Sequence, residues 1–548
     1  MSNARLVLLV PALLSAGLLR AQERAPQLES IVARDLRADL FFLAGDGMRG
    51  RLTNTAENRL AADFVKARFE RLGLTPAGPG GSYYHPYNLM TATLGADNRL
   101  ALTGADGVEL RMVAGQDFYP HRFSASGRVS GGVVFAGFGI TAPAQGHDDY
   151  RGTQVKGNVV LVLNHEPGEA DPASPFDGVV TAQLAGPLEK TLAAQAAGAT
   201  GILFVSDVHN HPGPENFESE ARNYWPAAGL RIDRFMLGTW VERVRIPAAQ
   251  IAPTLAEILL RGTGRTLAHQ AAAAETPRGT SPTPVPGARV ELLASVERHV
   301  VPDRNVLAAI EGADPARRDE WVLVTAHLDH NGADGDQIFN GADDDGSGTV
   351  GLLEIAEAYA LAAGEGRRPR RSVLFAAWNS EERGLLGAWA YVEAPRHPLE
   401  RTVAVLNMDM IGRNEEVEVG GGARFRGLEV QTPESNSNAV NILGYSRSPD
   451  LWKVIQGANA AVGLELKPRY DNNASNLLRR SDHWPFLQRG VPAVWVHTGL
   501  HPDYHTVYDR PEKINYEKME KIARLVYQAS WTLANGEGRP ALAASAGR

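Results

Sequence analysis

The sequence predicts an α/β protein: a mixed, mostly parallel sheet flanked by helices, with a β-rich domain inserted into it. Three observations predict this. Four apolar runs, "EWVLVTAHLD", "RSVLFAAWNSEE", "TVAVLNMDM" and "VPAVWVHTGL", each end in polar residues, as strands covered on both faces do. Helix-patterned segments at 351–361, 385–392, 451–462 and 516–533 fall between or after them. Ahead of them, from 100 to about 140, short alternating segments with turn residues, such as "GRVSGGVVFAGFGI", read as strands of a separate module. At 548 residues the chain is long enough for two or three domains.

In chain order, Arg5 precedes an apolar run at 6–19, too short to span a bilayer and suited to a secretory signal at 1–21 with cleavage after Ala21. The expectation is an exported protein, periplasmic or extracellular, with no stable membrane insertion once the signal is removed. Residues 28–99 form the first part of the α/β domain. Within them, 30–74 reads as helix, with Leu60, Phe64, Ala67 and Leu74 at helical spacing and Gly73 at its end. A glycine-rich loop follows at 78–82. The inserted domain is expected at 100–286. It holds a strand at 158–163, a helix and strand in "PLEKTLAAQAAGATGILFVSD", and a strand and helix in "IPAAQIAPTLAEILLRG". The Ala-, Pro- and Thr-rich "AAAAETPRGTSPTPVPGARV" reads as a linker or a domain edge. Residues 287–536 carry the rest of the α/β domain, and 537–548 a tail.

Composition excludes several chemistries. Lys+Arg 55 against Asp+Glu 63 gives a net charge of −8, which argues against nucleic-acid binding through bulk charge. With Cys 0, disulfides, thiolate nucleophiles and cysteine zinc sites are ruled out, so a metal must sit on His, Asp or Glu.

In open α/β sheets, ligands bind beyond the carboxyl ends of the strands. Those ends carry His327 and Asp329, then Glu381 and Glu382, then Asp409, and "HPDYHTVYD" with His505 follows the last strand. Between the first two lies "GADDDGSG", with Asp343, Asp344 and Asp345 side by side before an apolar helix. Carboxylates alone would suit a glycosidase-type dyad, and the two histidines tip the reading towards zinc. There are donors enough for two ions, which then share one carboxylate. A calcium loop with Gly346 at its sixth position is rejected, because Gly341 and Leu352 stand where acids are needed.

"HLD", "GADDDGSG", "SEERGLLGA", "NMDMIG" and "YHTVYD", in this order, resemble the co-catalytic di-zinc aminopeptidase family, related to glutamate carboxypeptidase and the transferrin receptor. The likeness covers about 305–533 and reaches back to "LAGDGMRGRLTNTAENRLAADFVKARFERLGL". "DDYRGTQVKGNVVLVL" and "AAQAAGATGILFVSD" resemble a protease-associated domain, often inserted here. The resemblance implies a zinc-exopeptidase-like fold and two Zn2+, or another divalent metal. One ion falls on His327 and Asp409, the other on Glu382 and His505, with Asp344 as the bridge. It makes Glu381 the general base, Asp329 the carboxylate that orients His327, and Tyr504 a donor to the oxyanion. Asp343 and Asp345 are expected to point elsewhere. His330, His483, His497 and His501 are expected to support rather than ligate. The implied function is N-terminal hydrolysis of peptides or small proteins. The alternatives are a carboxypeptidase or dipeptidase using Arg413, Arg469, Arg479 or Arg480, a glutaminyl cyclase, and a non-catalytic receptor. Oligomeric state is left open.

Overall fold

The computed structural model describes residues 24–152, 154–213 and 216–543. The expected signal at 1–21 lies outside them, as do the last residues of the 537–548 tail.

Two sheets carry the fold. The main one has ten strands among the described residues, with Ser372–Trp378, Trp321–His327, Thr402–Met408 and Ala493–His497 side by side at its centre. These four run parallel. Antiparallel strands flank them: Val296–Ile310 and Tyr84–Leu94 on one side, Ala439–Leu443 on the other. The apolar runs are continuous because alternate side chains feed two cores. Val322, Val324 and Ala326 face the helices Ala33–Leu43, Gly348–Gly364 and Tyr516–Asn535, while Leu323 and Val405 face Leu386–Glu393 and His483–Gln488.

The second sheet has eight strands among the described residues, from Glu109–Met112 at one edge to Phe118–Pro120 at the other. The chain leaves the main sheet after Tyr84–Leu94, adds the short edge strand Met236–Leu237 to it from within the insert, and returns at Val296–Ile310, where the two long strands pair from Leu94–Val296 to Tyr84–Val306. The inserted domain therefore stands on a two-strand stem. At its top Gly95 donates to the Ser295 carbonyl (2.9 Å), and a Cβ there would lie 2.1 Å from Ser295 Oγ, so only glycine fits.

Two local readings are corrected. The predicted helix over 30–74 is two helices, Ala33–Leu43 and Ala56–Arg71, separated by "AGDGMRGRLTNT". Arg49 and Arg51 both have positive φ (41° and 46°) in that break, which no helix tolerates. The buried face of the second helix is Ala61, Val65 and Phe69, whereas Leu60 is 48% exposed. The predicted linker at 271–290 instead ends a helix, Leu267–Ala274, and opens the strand Thr283–Ala294. Pro286 falls where the register of this strand against Gly127–Phe135 shifts, between Pro284 and Arg289, an irregularity of the kind where a strand tolerates proline.

Candidate active site

The parallel strands present their carboxyl ends to one rim. His327 ends its strand, Asp409 directly follows Thr402–Met408, and Glu381 and Glu382 open a single turn just past Ser372–Trp378. The aspartate triplet fills the tight turn before the Gly348–Gly364 helix. His505 lies on the loop after Ala493–His497. Four non-glycine residues around this rim, Ser380, Leu385, Met410 and His505, have φ of 58–59°, each at a cost of about 1–2 kcal/mol. Such strain concentrates where side chains must be aimed.

The side chains form two groups around Asp344. His327 Nε2 lies 3.3 Å from Asp344 Oδ1, 3.7 Å from Asp409 Oδ1 and 3.8 Å from Glu381 Oε2. On the other side, His505 Nε2 lies 2.9 Å from Asp344 Oδ2 and 3.2 Å from Glu382 Oε2. His330 Nδ1 also comes within 2.7 Å of Glu382 Oε1. Six of the predicted residues, His327, Asp344, Glu381, Glu382, Asp409 and His505, thus meet at or beside one carboxylate. Tyr504 stacks on His505, ring centroids 3.9 Å apart, and lines the same cavity of about 340 Å³.

The three adjacent aspartates have three sets of partners. Asp345 accepts from the backbone N–H groups of His327 (3.0 Å), Gly348 (2.8 Å) and Met410 (3.2 Å). Asp343 accepts from Gly412 N–H (2.6 Å) and faces His501 Nε2 at 3.2 Å. Only Asp344 turns its carboxylate to the cavity, while its own N–H and that of Asp343 donate to Asp509. Asp329 takes the Glu381 N–H (2.9 Å) and the Glu382 N–H (3.3 Å). It stands 3.7 Å from His327 Nδ1, too far for a hydrogen bond, so its main observed work is to hold the double-glutamate turn.

The electrostatics separate the two glutamates. Burial, reinforced by Asp409, pushes Glu381 well above the usual carboxylate range. Burial would do the same to Glu382, but His505 and His330 outweigh it and hold its carboxyl well below that range. Burial opposes a charge on His505, yet Glu382 and Asp344 raise it to about 10. Burial also raises Asp409, Asp345 and Asp482. This many buried carboxylates packed against imidazoles that make no well-directed hydrogen bond (both nitrogens of His327 and of His330) supply the donor types of a cation site. His327, Glu381 and Asp409 form one set of donor atoms that can close on an ion, and His330, Asp344 and Glu382 another.

Sequence reading missed several contributors. Arg51 is fully buried, and its guanidinium donates to the carbonyls of Leu43, Leu328, Asn340 and Gly341 at 2.8–2.9 Å, tying the N-terminal segment to the end of the Trp321–His327 strand and to the residues just before the triplet. An arginine among the glycines of "GDGMRGR" was the available signal. Ser481 donates to Asp409 Oδ2 (2.5 Å), and Asn331 to Glu382 Oε1 (2.9 Å). The inserted domain contributes through Arg231, which donates to the Asn331 carbonyl (2.7 Å). Of the four candidate arginines, Arg413 pairs with Asp503 (3.0 Å) and Arg469 with Glu415, while Arg479 and Arg480 line the cavity.

Comparison with known proteins gives this geometry a family. Residues 305–530 match Peptidase family M28, and 129–233 match the PA domain. "Probable glutamate carboxypeptidase LAMP1" of Arabidopsis thaliana is 26% identical over 77% of this chain and 58% of its own length. "Probable glutamate carboxypeptidase AMP1" of the same plant is 32% identical over 37% of this chain and 26% of its own. "Aminopeptidase YwaD" of Bacillus subtilis is 28% identical over 40% and 42%. The chain thus spans between a quarter and three fifths of the length of these relatives. Among solved structures, an aminopeptidase from Aneurinibacillus sp. strain AM-1 aligns with 94% of this chain and 97% of its own at 17% identity, with a TM-score of 0.47. Residues 305–530 of this chain thus match Peptidase family M28, with a PA domain matched ahead of them at 129–233.

Proposed function

We propose that the protein is a zinc-dependent exopeptidase with two Zn2+, most simply an aminopeptidase acting on free N-termini of peptides or small proteins. The observation that carries this reading is Asp344, whose Oδ1 faces His327 and whose Oδ2 faces His505, so that one carboxylate stands between two His–carboxylate groups. His327 and Asp409 would hold one ion and Glu382 and His505 the other, with Asp344 shared. Bound there, the ions would lower the pKa of water and polarise the scissile carbonyl.

The chain's own residues do the rest. Glu381, whose proton affinity burial already raises, takes a proton from the attacking water and hands it to the leaving amine. Asp329 keeps Glu381 and Glu382 divergent by holding both of their N–H groups. Tyr504 donates its hydroxyl proton as a hydrogen bond to the oxyanion as it forms. A cavity of about 340 Å³ is near the lower end of ligand pockets and suits one terminal residue better than a long segment. Purified protein stripped by a chelator should lose turnover of aminoacyl amides and regain it with zinc, and chelator-insensitive turnover would sink the reading.

A carboxypeptidase is the second reading. Arg479 and Arg480 in the cavity wall are groups that could hold a substrate carboxylate, and two relatives bear carboxypeptidase names. Peptides blocked at one end or the other decide between them. Export, proposed from the apolar leader alone, is checked by N-terminal sequencing of the mature protein from the cell exterior.

A further inference from the structure

A second group of metal-type donors stands on the inserted domain. His165 and Glu169 follow the strand Val159–Leu163, and His211 follows Gly201–Val205, the neighbouring strand in the sheet. His165 Nδ1 lies 3.0 Å from Glu169 Oε2, and His211 Nε2 meets Glu169 Oε1. The two imidazoles lie side by side, centroids 4.0 Å apart and planes at 32°. One donor atom from each of the three residues falls within 4.8 Å of the others. Ligands on one tetrahedral zinc stand roughly 3.3 Å apart, so small side-chain rotations close the set.

The framework around the three residues is built. His165 has φ +64°, a conformation costly for a non-glycine residue, and the buried Lys190 fixes it there by donating to the carbonyls of Leu163 (2.7 Å) and His165. The His211 N–H donates to the Asp207 carbonyl (3.1 Å). Glu275 ties the two loops together, accepting from Gly168 N–H (2.8 Å) in one and Asn210 Nδ2 in the other. The histidines are 43% and 48% exposed and the carboxylate 19%, so an ion can enter and keep water on its remaining positions.

We propose that His165, Glu169 and His211 form a divalent-cation site of zinc type on the inserted domain, separate from the active-site cluster. Two imidazoles and one carboxylate without thiolate suit zinc among the borderline cations. The site also has leverage. It sits at the base of the loop 165–182, whose far side reaches the M28 segment through Asp177–Arg447 (2.8 Å), Val179 N–H to Asn472 (2.9 Å) and Arg479 to the Thr181 carbonyl (2.6 Å). Arg479 also lines the active-site cavity. An ion at the base would hold this brace in register.

The test uses the full-length protein, stripped of metal and reloaded with zinc, with zinc per chain measured by elemental analysis. His165→Ala, His211→Ala and Glu169→Gln should each carry one equivalent fewer than the parent, whereas His209→Ala, an exposed histidine outside the cluster, should carry the parent's amount. The difference holds whatever number of ions the active site takes, so it stands or falls apart from the proposed di-zinc chemistry. Equal zinc in all proteins, or the same loss in His209→Ala, overturns the site. In the unmutated protein, zinc should also protect His165 and His211, but not His209, from acylation by diethyl pyrocarbonate. Equal acylation with and without zinc overturns it independently of any variant's folding.

Discussion

Side chains only one position apart do different work at this site. Asp344 faces two histidines, and its neighbour Asp345 spends both oxygens on three backbone N–H groups. Asp344→Asn should therefore lose the active-site zinc, read by elemental analysis as fewer equivalents per chain, while its metal-free form keeps a thermal midpoint near that of the metal-free parent. Asp345→Asn replaces one accepting oxygen with an amide nitrogen and strands buried donors, so denaturant unfolding should show a loss of about 1–3 kcal/mol. Equal metal loss in both without a stability difference would refute the division. Glu381→Gln should bind zinc normally and lose turnover about 100-fold or more, the usual span for a removed general base. A rate within a few fold of the parent would take Glu381 out of that role. The residues of this division were legible because each lies within a short motif at a strand end. Asp329's work was only half legible: its N–H partners belong to Glu381 and Glu382, some 50 positions away, and pairing at that distance leaves no local pattern.

Elements succeed or fail in the reading according to how local their causes are. The central strands read correctly because burial on both faces demands apolar residues throughout. The segment before Ala56–Arg71 misled because its apolar spacing continues across a break enforced by Arg49 and Arg51 at positive φ. That break exists to bury Arg51, whose fork reaches four carbonyls from three chain segments. Lysine cannot reproduce a planar fork. Arg51→Lys should cost about 3 kcal/mol or more by denaturant unfolding, since several buried carbonyls lose donors worth about 1 kcal/mol each. It should also weaken zinc binding, because Asn340 and Gly341 lead directly into the triplet. Unchanged stability would show that the fork is replaceable.

At the scale of the molecule, each sheet has a core of its own, and the two halves are joined by the stem, by the brace and by a shared core in which Val180, Phe235 and Leu237 of the inserted domain pack with Leu386 and Trp389. His121 lies in the core of the inserted domain, stacked 4.9 Å from Phe123 and edge-on to Phe204, and burial lowers its pKa to about 3. An unfolded histidine binds a proton near pH 6.5. Between these values the unfolded chain holds a proton that the folded one does not, so stability is full above about 6.5 and falls as pH drops towards 3. His121→Phe removes this linkage, so its thermal midpoint should fall less than the parent's between neutral pH and about pH 5. Parallel pH profiles would show that His121 does not contribute. No helix among the described residues is long and apolar enough to cross a membrane.

By itself the sequence determined the α/β class, the inserted module and the residues that gather at the rim, because strand burial and turn chemistry are written in neighbouring positions. Only the tertiary structure decided which oxygen of each aspartate faces what, that Arg51 and Asp509 hold the triplet, and that His165 and His211 meet on one carboxylate. Those facts depend on contacts between residues far apart in the chain, and the distance between two side chains 46 positions apart is set by packing, not by either residue's neighbours.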